Sequence, residues 1–292
     1  MAFNVDTFKT RALSAVFFVI IMLTGLLLNH WTFFLLFSVI HFGCWHEYQK
    51  LIGLIDPGYQ KINPFHKYGI MLLGWGFMLF MTNKSYRLGG FYFAEIGKWL
   101  MIVFAIAIPV VEVLLSKKFN PKVLVHSLLG LLYISLSWGL MINIRNYDTR
   151  FTEYFSFPDF GWRIPIVLIA SIWINDTMAY IVGSFIGKTP FSKISPKKTW
   201  EGTVGGAILA VVVVTLVGNW AYMGDTQLLL VVSAIAAIFG TAGDLLESKL
   251  KRMAGVKDSG SMMPGHGGFL DRFDSLLLAT PIVWLYLKLV MA

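Results

Sequence analysis

VLVHSLLGLLYISLSWGLMIN, residues 123 to 143, contains no Asp, Glu, Lys or Arg, and ALSAVFFVIIMLTGLLL, residues 12 to 28, is equally free of charge. A helix crossing a hydrocarbon core needs about 20 mostly apolar residues, so the first stretch is long enough to cross by itself. The character is general: of 292 residues 57% are hydrophobic and 14% charged, against roughly a quarter charged in an ordinary soluble domain. That excludes a soluble globular protein and predicts an all-α integral membrane protein. The lone cysteine, Cys44, sits in an apolar run, which rules out an intrachain disulfide and reads as packing. Lys9 and Arg11 before an apolar run imitate a signal peptide. Asn29, His30 and Trp31 follow Leu28 where small residues would mark cleavage, so an uncleaved first span is expected.

Apolar runs bounded by charges or turn residues give about nine spans, near residues 12–28, 31–45, 68–82, 99–115, 123–143, 164–187, 203–223, 227–247 and 270–291. The second and third are short, and a re-entrant or interfacial segment among them would make eight. No gap leaves room for a soluble domain, and neither repeats nor low-complexity segments occur. The chain reads as an N-terminal set of about five spans, residues 1–163, and a C-terminal region, 164–292, with loops 188–202 and 248–269. With a cytoplasmic N-terminus, sixteen of the 24 Lys and Arg fall on the cytoplasmic side and six on the other, while Arg272 and Lys288 lie at the ends of the ninth span. That is the positive-inside bias, and it turns both polar loops to the cytoplasm. The net charge of +8 suits anionic headgroups, although solvated cationic loops explain most of it.

The densest polar stretch is DLLESKLKRMAGVKDSGSMMPGHGGFLDRFDS, residues 244–275, set between apolar helices. Asp244 and Ser248 are four apart and Asp271 and Asp274 three apart, so on helices each pair shares a face. Several carboxylates with a hydroxyl form an oxygen donor set, which suits Mg²⁺ better than zinc. The plainer reading pairs these acids with Lys249, Arg252 and Arg272. Gly265, Gly267 and Gly268 around His266 allow positive φ and close approach of backbone N–H groups to phosphate oxygens. The plainer reading is a tight turn capping the last span, with His266 a loop histidine. Lys249, Lys251, Arg252 and Lys257 on one side and the acids on the other favour the functional reading.

Asp176 falls inside the sixth span, about 11 residues or roughly 16 Å from its end at 1.5 Å per residue. An ionisable group at that depth is a functional candidate, with a buried ion pair as the alternative. SPKKTWEG, residues 195–202, then supplies Ser195, Lys197, Lys198 and Thr199 in a rigid turn suited to a polyphosphate, or else a solvated charged face. Gly202 and Gly206 have helix-packing spacing. Glu112 in the fourth span has no evident role. His41, His46, His66 and His126 lack metal-ligand spacing. Trp31, Trp45, Trp99, Trp220 and Trp284, near span ends, read as interfacial anchors.

SKLKRMAGVKDSGSMMPGHGGFLDRFD, Ser248 to Asp274, resembles the signature of the phosphatidate cytidylyltransferase (CDP-diacylglycerol synthase) family at all 27 positions, with Met263 a mild departure where Leu, Ile or Phe is usual. Asp-Thr-x-Ala-Tyr at 176–180 and SPKKTWEG resemble the family's second block. The strong resemblance covers about residues 173–275, and the first five spans match only in general character. It implies a multi-pass enzyme of the inner (cytoplasmic) membrane that joins CTP to phosphatidic acid, giving CDP-diacylglycerol and pyrophosphate. It further implies Mg²⁺, a second cation such as K⁺, a homodimer, and no nucleic-acid partner. Asp244 and Asp271 match the metal-binding aspartates, with Asp274 and Asp176 in support. Lys249, Arg252, Lys257, His266 and Arg272 are then candidate catalytic groups, and Ser195, Lys197, Lys198, Thr199, Ser248, Gly265, Gly267 and Gly268 candidate substrate contacts. Such a reaction needs cations where two anions meet, and no activated serine or cysteine, because the lipid phosphate is already a nucleophile. A CTP-dependent polyprenol or phytol kinase is the neighbouring reading. An ion-coupled transporter using Asp176 and Glu112 is the reading from another class.

Overall fold

The computed structural model describes residues 5–115, 120–146, 161–262 and 267–290. The chain divides into two units, Met1–Ile142 with Met253–Arg272, and Asn143–Arg252 with Phe273–Ala292.

In the first unit α1 (Val5–Leu27) and α2 (His30–Ile55) are separated at Asn29. Its side chain accepts from the backbone N–H groups of Trp31 and Thr32 at 2.9 and 3.0 Å, and the Thr32 hydroxyl accepts from Asn29 N at 3.2 Å. Asn29 and Thr32 thus form a reciprocal helix cap. Helix α2 covers the expected second span, residues 31–45, and continues past it to Ile55. Its polar extension persists because the groups find partners: Tyr48 donates to His126 O at 2.8 Å and Gln49 to Lys67 O at 2.8 Å.

Next come α3 (Pro57–Gln60), α4 (Pro64–Phe80), a two-residue hairpin of β1 (Arg87–Leu88) and β2 (Phe91–Tyr92), and α5 (Phe93–Leu115), which packs along α4. A continuous helical run follows, α6 (Pro121–Gly130), a π turn at Leu131–Ser135, and α7 (Leu136–Arg145). Ser135 in the π turn receives the Trp45 indole N–H at 2.9 Å and lies 3.0 Å from His41 Nε2. Trp45 is therefore a core residue of this unit, fully buried, and not an interfacial anchor. The reason is tertiary: its ring faces the π turn of another helix. Cys44 is buried beside it, as packing requires.

In the second unit α8 (Arg163–Ile186) packs along α9 (Trp200–Trp220), and α10 (Thr226–Met253) and α11 (Leu270–Val290) complete it. A Cβ at Gly206 would stand 2.6 Å from Ala179 backbone, so its small size serves the α8–α9 contact.

Among the described residues, six helical runs are long and apolar enough to cross a membrane: Phe93–Leu114, Pro121–Arg145, Arg163–Ile186, Trp200–Trp220, Thr226–Met253 and Leu270–Val290. The three remaining expected spans lie on α1, whose apolar part is Leu13–Leu27, on the polar-interrupted α2, and on the 17-residue α4. The protein is an all-α, multi-pass membrane protein by these elements.

Candidate functional site

In the second unit, three helices bring three carboxylates within electrostatic reach of one another. Lys198, in the loop before α9, forms an ion pair with Asp244 Oδ2 on α10. One turn on, the Ser248 hydroxyl donates to Asp244 Oδ1 at 3.4 Å, as the four-residue spacing anticipates. Asp176 on α8 is within electrostatic reach of Lys198 and Asp244, and Asp274 on α11 within reach of Asp244, Asp176 and Lys251. Exposure is graded: Asp176 lies at the surface, Asp244 is half-buried and Asp274 is buried. The partner of Asp244 is thus Lys198, from a loop 46 residues earlier, and not a cation of the 249–252 cluster. Within that cluster Lys251 pairs with the buried Glu247 one turn before it.

The 188–202 loop that delivers Lys198 is closed by backbone bonds, Phe191 N to Lys198 O at 2.8 Å and Trp200 N to Thr189 O at 2.9 Å. Glu201 ties its start, accepting from Lys188 N at 3.1 Å and from the Thr189 hydroxyl at 2.8 Å. Thr199 caps α9 by accepting from Gly202 N at 3.1 Å, and Ser195 O accepts from Lys198 N at 3.1 Å. The rigid turn expected of SPKKTWEG is present. It separates the lysines, because Lys198 turns into the acid cluster while Lys197 stays exposed.

The first unit holds the glycine-rich segment. Asp271 Oδ2 accepts from Ser259 N at 2.9 Å, from the Ser259 hydroxyl at 2.9 Å and from Gly268 N at 2.8 Å. Gly267 has φ +83°, the left-handed region that favours glycine, and a Cβ there would lie 2.6 Å from Asp271 Oδ2. Gly265 and His266 lie outside the described residues. Lys257 and Arg272 are exposed in this unit, as Lys249 and Arg252 are in the other.

Sequence reading missed Glu47, which is buried on α2. Its Oε1 accepts from Phe269 N at 2.9 Å, and its Oε2 from Leu270 N at 2.9 Å and from the Ser259 hydroxyl at 2.7 Å. The signal was available: Phe33, Phe37, Ile40, Cys44, Glu47 and Leu51 follow helical spacing, and all six are buried. A carboxylate on that stripe demands partners. Glu112 likewise acquires a place. Its Oε2 lies 3.1 Å from His66 Nδ1, while His66 Nε2 is 2.9 Å from the Ser127 hydroxyl, which is 3.2 Å from the Tyr59 hydroxyl. The connectivity is that of a nucleophilic triad, but burial of all three members closes it to substrate.

Among the described residues no three His, Cys, Asp or Glu side chains stand close enough to hold a metal ion as they are. In donor chemistry, Asp176, Asp244 and Asp274 are all-oxygen side chains of the kind a hard divalent cation takes, and Lys198 is ion-paired with Asp244 among them.

These elements define a class first: a multi-pass helical membrane protein carrying cationic loops and an all-oxygen acidic cluster suited to phosphate chemistry. The chain belongs to the cytidylyltransferase family, whose sequence profile matches residues 9–290. It is a nucleotidyltransferase by that membership. The phosphatidate cytidylyltransferase of Bacillus subtilis (strain 168) is 34% identical over 224 residues, 76% of this chain and 77% of that one. Those of Synechocystis sp. and Helicobacter pylori (strain J99) are 44% identical over 139 residues and 45% over 121, covering 47% and 41% of this chain and 46% of each relative.

Proposed function

We propose that the protein transfers the cytidylyl group of CTP to phosphatidic acid, forming CDP-diacylglycerol and pyrophosphate for phospholipid synthesis. The observation that carries this reading is the family match across 9–290, together with relatives that bear the phosphatidate cytidylyltransferase name. A phosphate oxygen of the lipid attacks the α-phosphorus of CTP, a new P–O bond forms, and the bond to the β-phosphate bridging oxygen breaks with release of pyrophosphate. Both reactants are multiply anionic, so the attack requires positive charge at the meeting point.

The chain's own cations have distinct parts in this reading. Lys198, held by Asp244 in a closed loop, is a fixed charge. Lys197, Lys249, Arg252 and Lys257 are exposed and reach for nucleotide or lipid phosphates. Asp176, Asp244 and Asp274 would hold Mg²⁺, with K⁺ as a second ion, and Ser248 orients Asp244. Bound there, the divalent ion would neutralise phosphate charge and polarise the α-phosphate. Asp271 belongs to the ligand set by resemblance, and Ser195, Thr199, Gly267 and Gly268 shape the two loops. We place the protein in the inner membrane as a homodimer, with N-terminus and both loops cytoplasmic, where CTP is soluble and the lipid stays in the bilayer.

The test is to incubate detergent-purified protein with phosphatidic acid, Mg²⁺ and CTP labelled at the α or the γ phosphate. Label in the lipid from the α position alone is expected. Transfer from the γ position would make the protein a lipid kinase.

A further inference from the structure

We propose that Glu47 is a positioning residue for the transfer reaction, holding the glycine-rich segment and the start of α11 in the geometry that presents Asp271. The inference rests on the cytidylyl-transfer reading above. It comes from contacts that span most of the chain: Glu47 meets Ser259, Phe269 and Leu270, which lie 212 to 223 positions away.

Three features set this carboxylate apart from an ordinary buried acid. Both oxygens are used, and two of the three donors are the backbone N–H groups of Phe269 and of Leu270, the first residue of α11. A helix begins with N–H groups that lack intrahelical acceptors, so a carboxylate there satisfies them and is favoured by the helix dipole. Glu47, from another helix, thus acts as the cap of α11. The third donor links the cap to the candidate site. The Ser259 hydroxyl lies 2.7 Å from Glu47 Oε2 and 2.9 Å from Asp271 Oδ2. A hydroxyl has one proton to give, so Glu47 and Asp271 draw on the same group, and displacing one carboxylate changes the bonding of the other.

The glycines point to the same place. A Cβ on Gly260 or on Gly268 would run into the Glu47 carboxylate. Side chains at these two positions would hold the acid away, so the bare backbone there is what lets it approach. Gly268 N in turn donates to Asp271 Oδ2 at 2.8 Å. Glu47, Ser259, Gly268 and Asp271 therefore form one hydrogen-bonded unit in which Glu47 supplies the anchor.

Three variants of the full chain in detergent, Glu47→Gln, Glu47→Asp and Gly268→Ala, test this. Gln keeps the reach of Glu but replaces one acceptor with a donor, which then faces N–H groups. We expect Glu47→Gln to keep its melting temperature within a few degrees, to lower kcat on the order of a hundredfold with a small change in KM for CTP, and to raise amide hydrogen exchange across 268–270, since misplacement of about 1 Å at a reacting geometry costs about that much. Glu47→Asp, which keeps the charge, should recover part of kcat. Gly268→Ala should resemble Glu47→Gln, and the double variant should be little worse than either, as for residues acting as one unit. Normal kcat and normal exchange in Glu47→Gln would overturn the proposal, as would a lowered melting temperature with full activity per folded molecule, which would make Glu47 a structural brace. Should the wild-type protein make no CDP-lipid, the function proposed above fails on its own, and the exchange measurement still decides whether Glu47 holds the segment.

Discussion

Lys198 is ion-paired with Asp244, whereas its neighbour Lys197 is exposed. Adjacent residues of one charge thus have separate surroundings, one paired with an acid and one facing outward. Lys197→Gln should raise KM for CTP severalfold and weaken its dependence on salt, with kcat little changed. Lys198→Gln should lower kcat by about tenfold to a hundredfold, because it leaves Asp244 without its counter-charge beside Asp176 and Asp274. Steady-state kinetics at two salt concentrations check both, and identical behaviour of the two variants would contradict the division.

Asp244→Asn keeps shape and removes charge. It should raise the Mg²⁺ concentration needed for half-maximal turnover by about tenfold or more, because a hard cation is held by anionic oxygen. Asp176→Asn should shift it the same way. Mg²⁺ titrations on protein of unchanged melting temperature provide the check, and an unshifted midpoint would remove these residues from the ligand set.

Asp271 Oδ2 gathers the Ser259 N–H and hydroxyl and the Gly268 N–H. Asp271→Asn should cut turnover by about a hundredfold and shift the Mg²⁺ midpoint if the carboxylate also binds metal. A fall in kcat with an unshifted midpoint would assign Asp271 to the loop alone.

Gly267→Val should abolish turnover while the protein still inserts. The backbone at φ +83° costs a residue with a side chain about 1–2 kcal/mol, and the new Cβ would press on Asp271. Activity and size-exclusion profile measured together test this, and full activity in a monodisperse variant would refute it.

The Glu112–His66–Ser127–Tyr59 network should matter for stability and not for chemistry. Glu112→Ala leaves a buried imidazole without its carboxylate and should cost about 1–3 kcal/mol, lowering the melting temperature at unchanged KM for CTP. A changed KM with an unchanged melting temperature would give the network a part in catalysis.

The sequence by itself determined the membrane class, the places of the six long apolar helical runs and the two polar stretches between them. Those are local properties: apolar length sets a span, a four-residue spacing sets a helical face, and Asp244 with Ser248 is legible for that reason. The α2 stripe that contains Glu47 was legible too, but its meaning was not, because nothing near residue 47 announces donors 212 to 223 positions later. The same holds for Lys198 over Lys197, for Trp45 against the π turn, and for the Glu112–His66 pair. Each depends on which helix faces which, and that is settled by packing between distant segments and by the demand that every buried polar group find a partner. Only the tertiary structure could decide them, since periodicity says which way a side chain points from its own helix and nothing about what stands opposite.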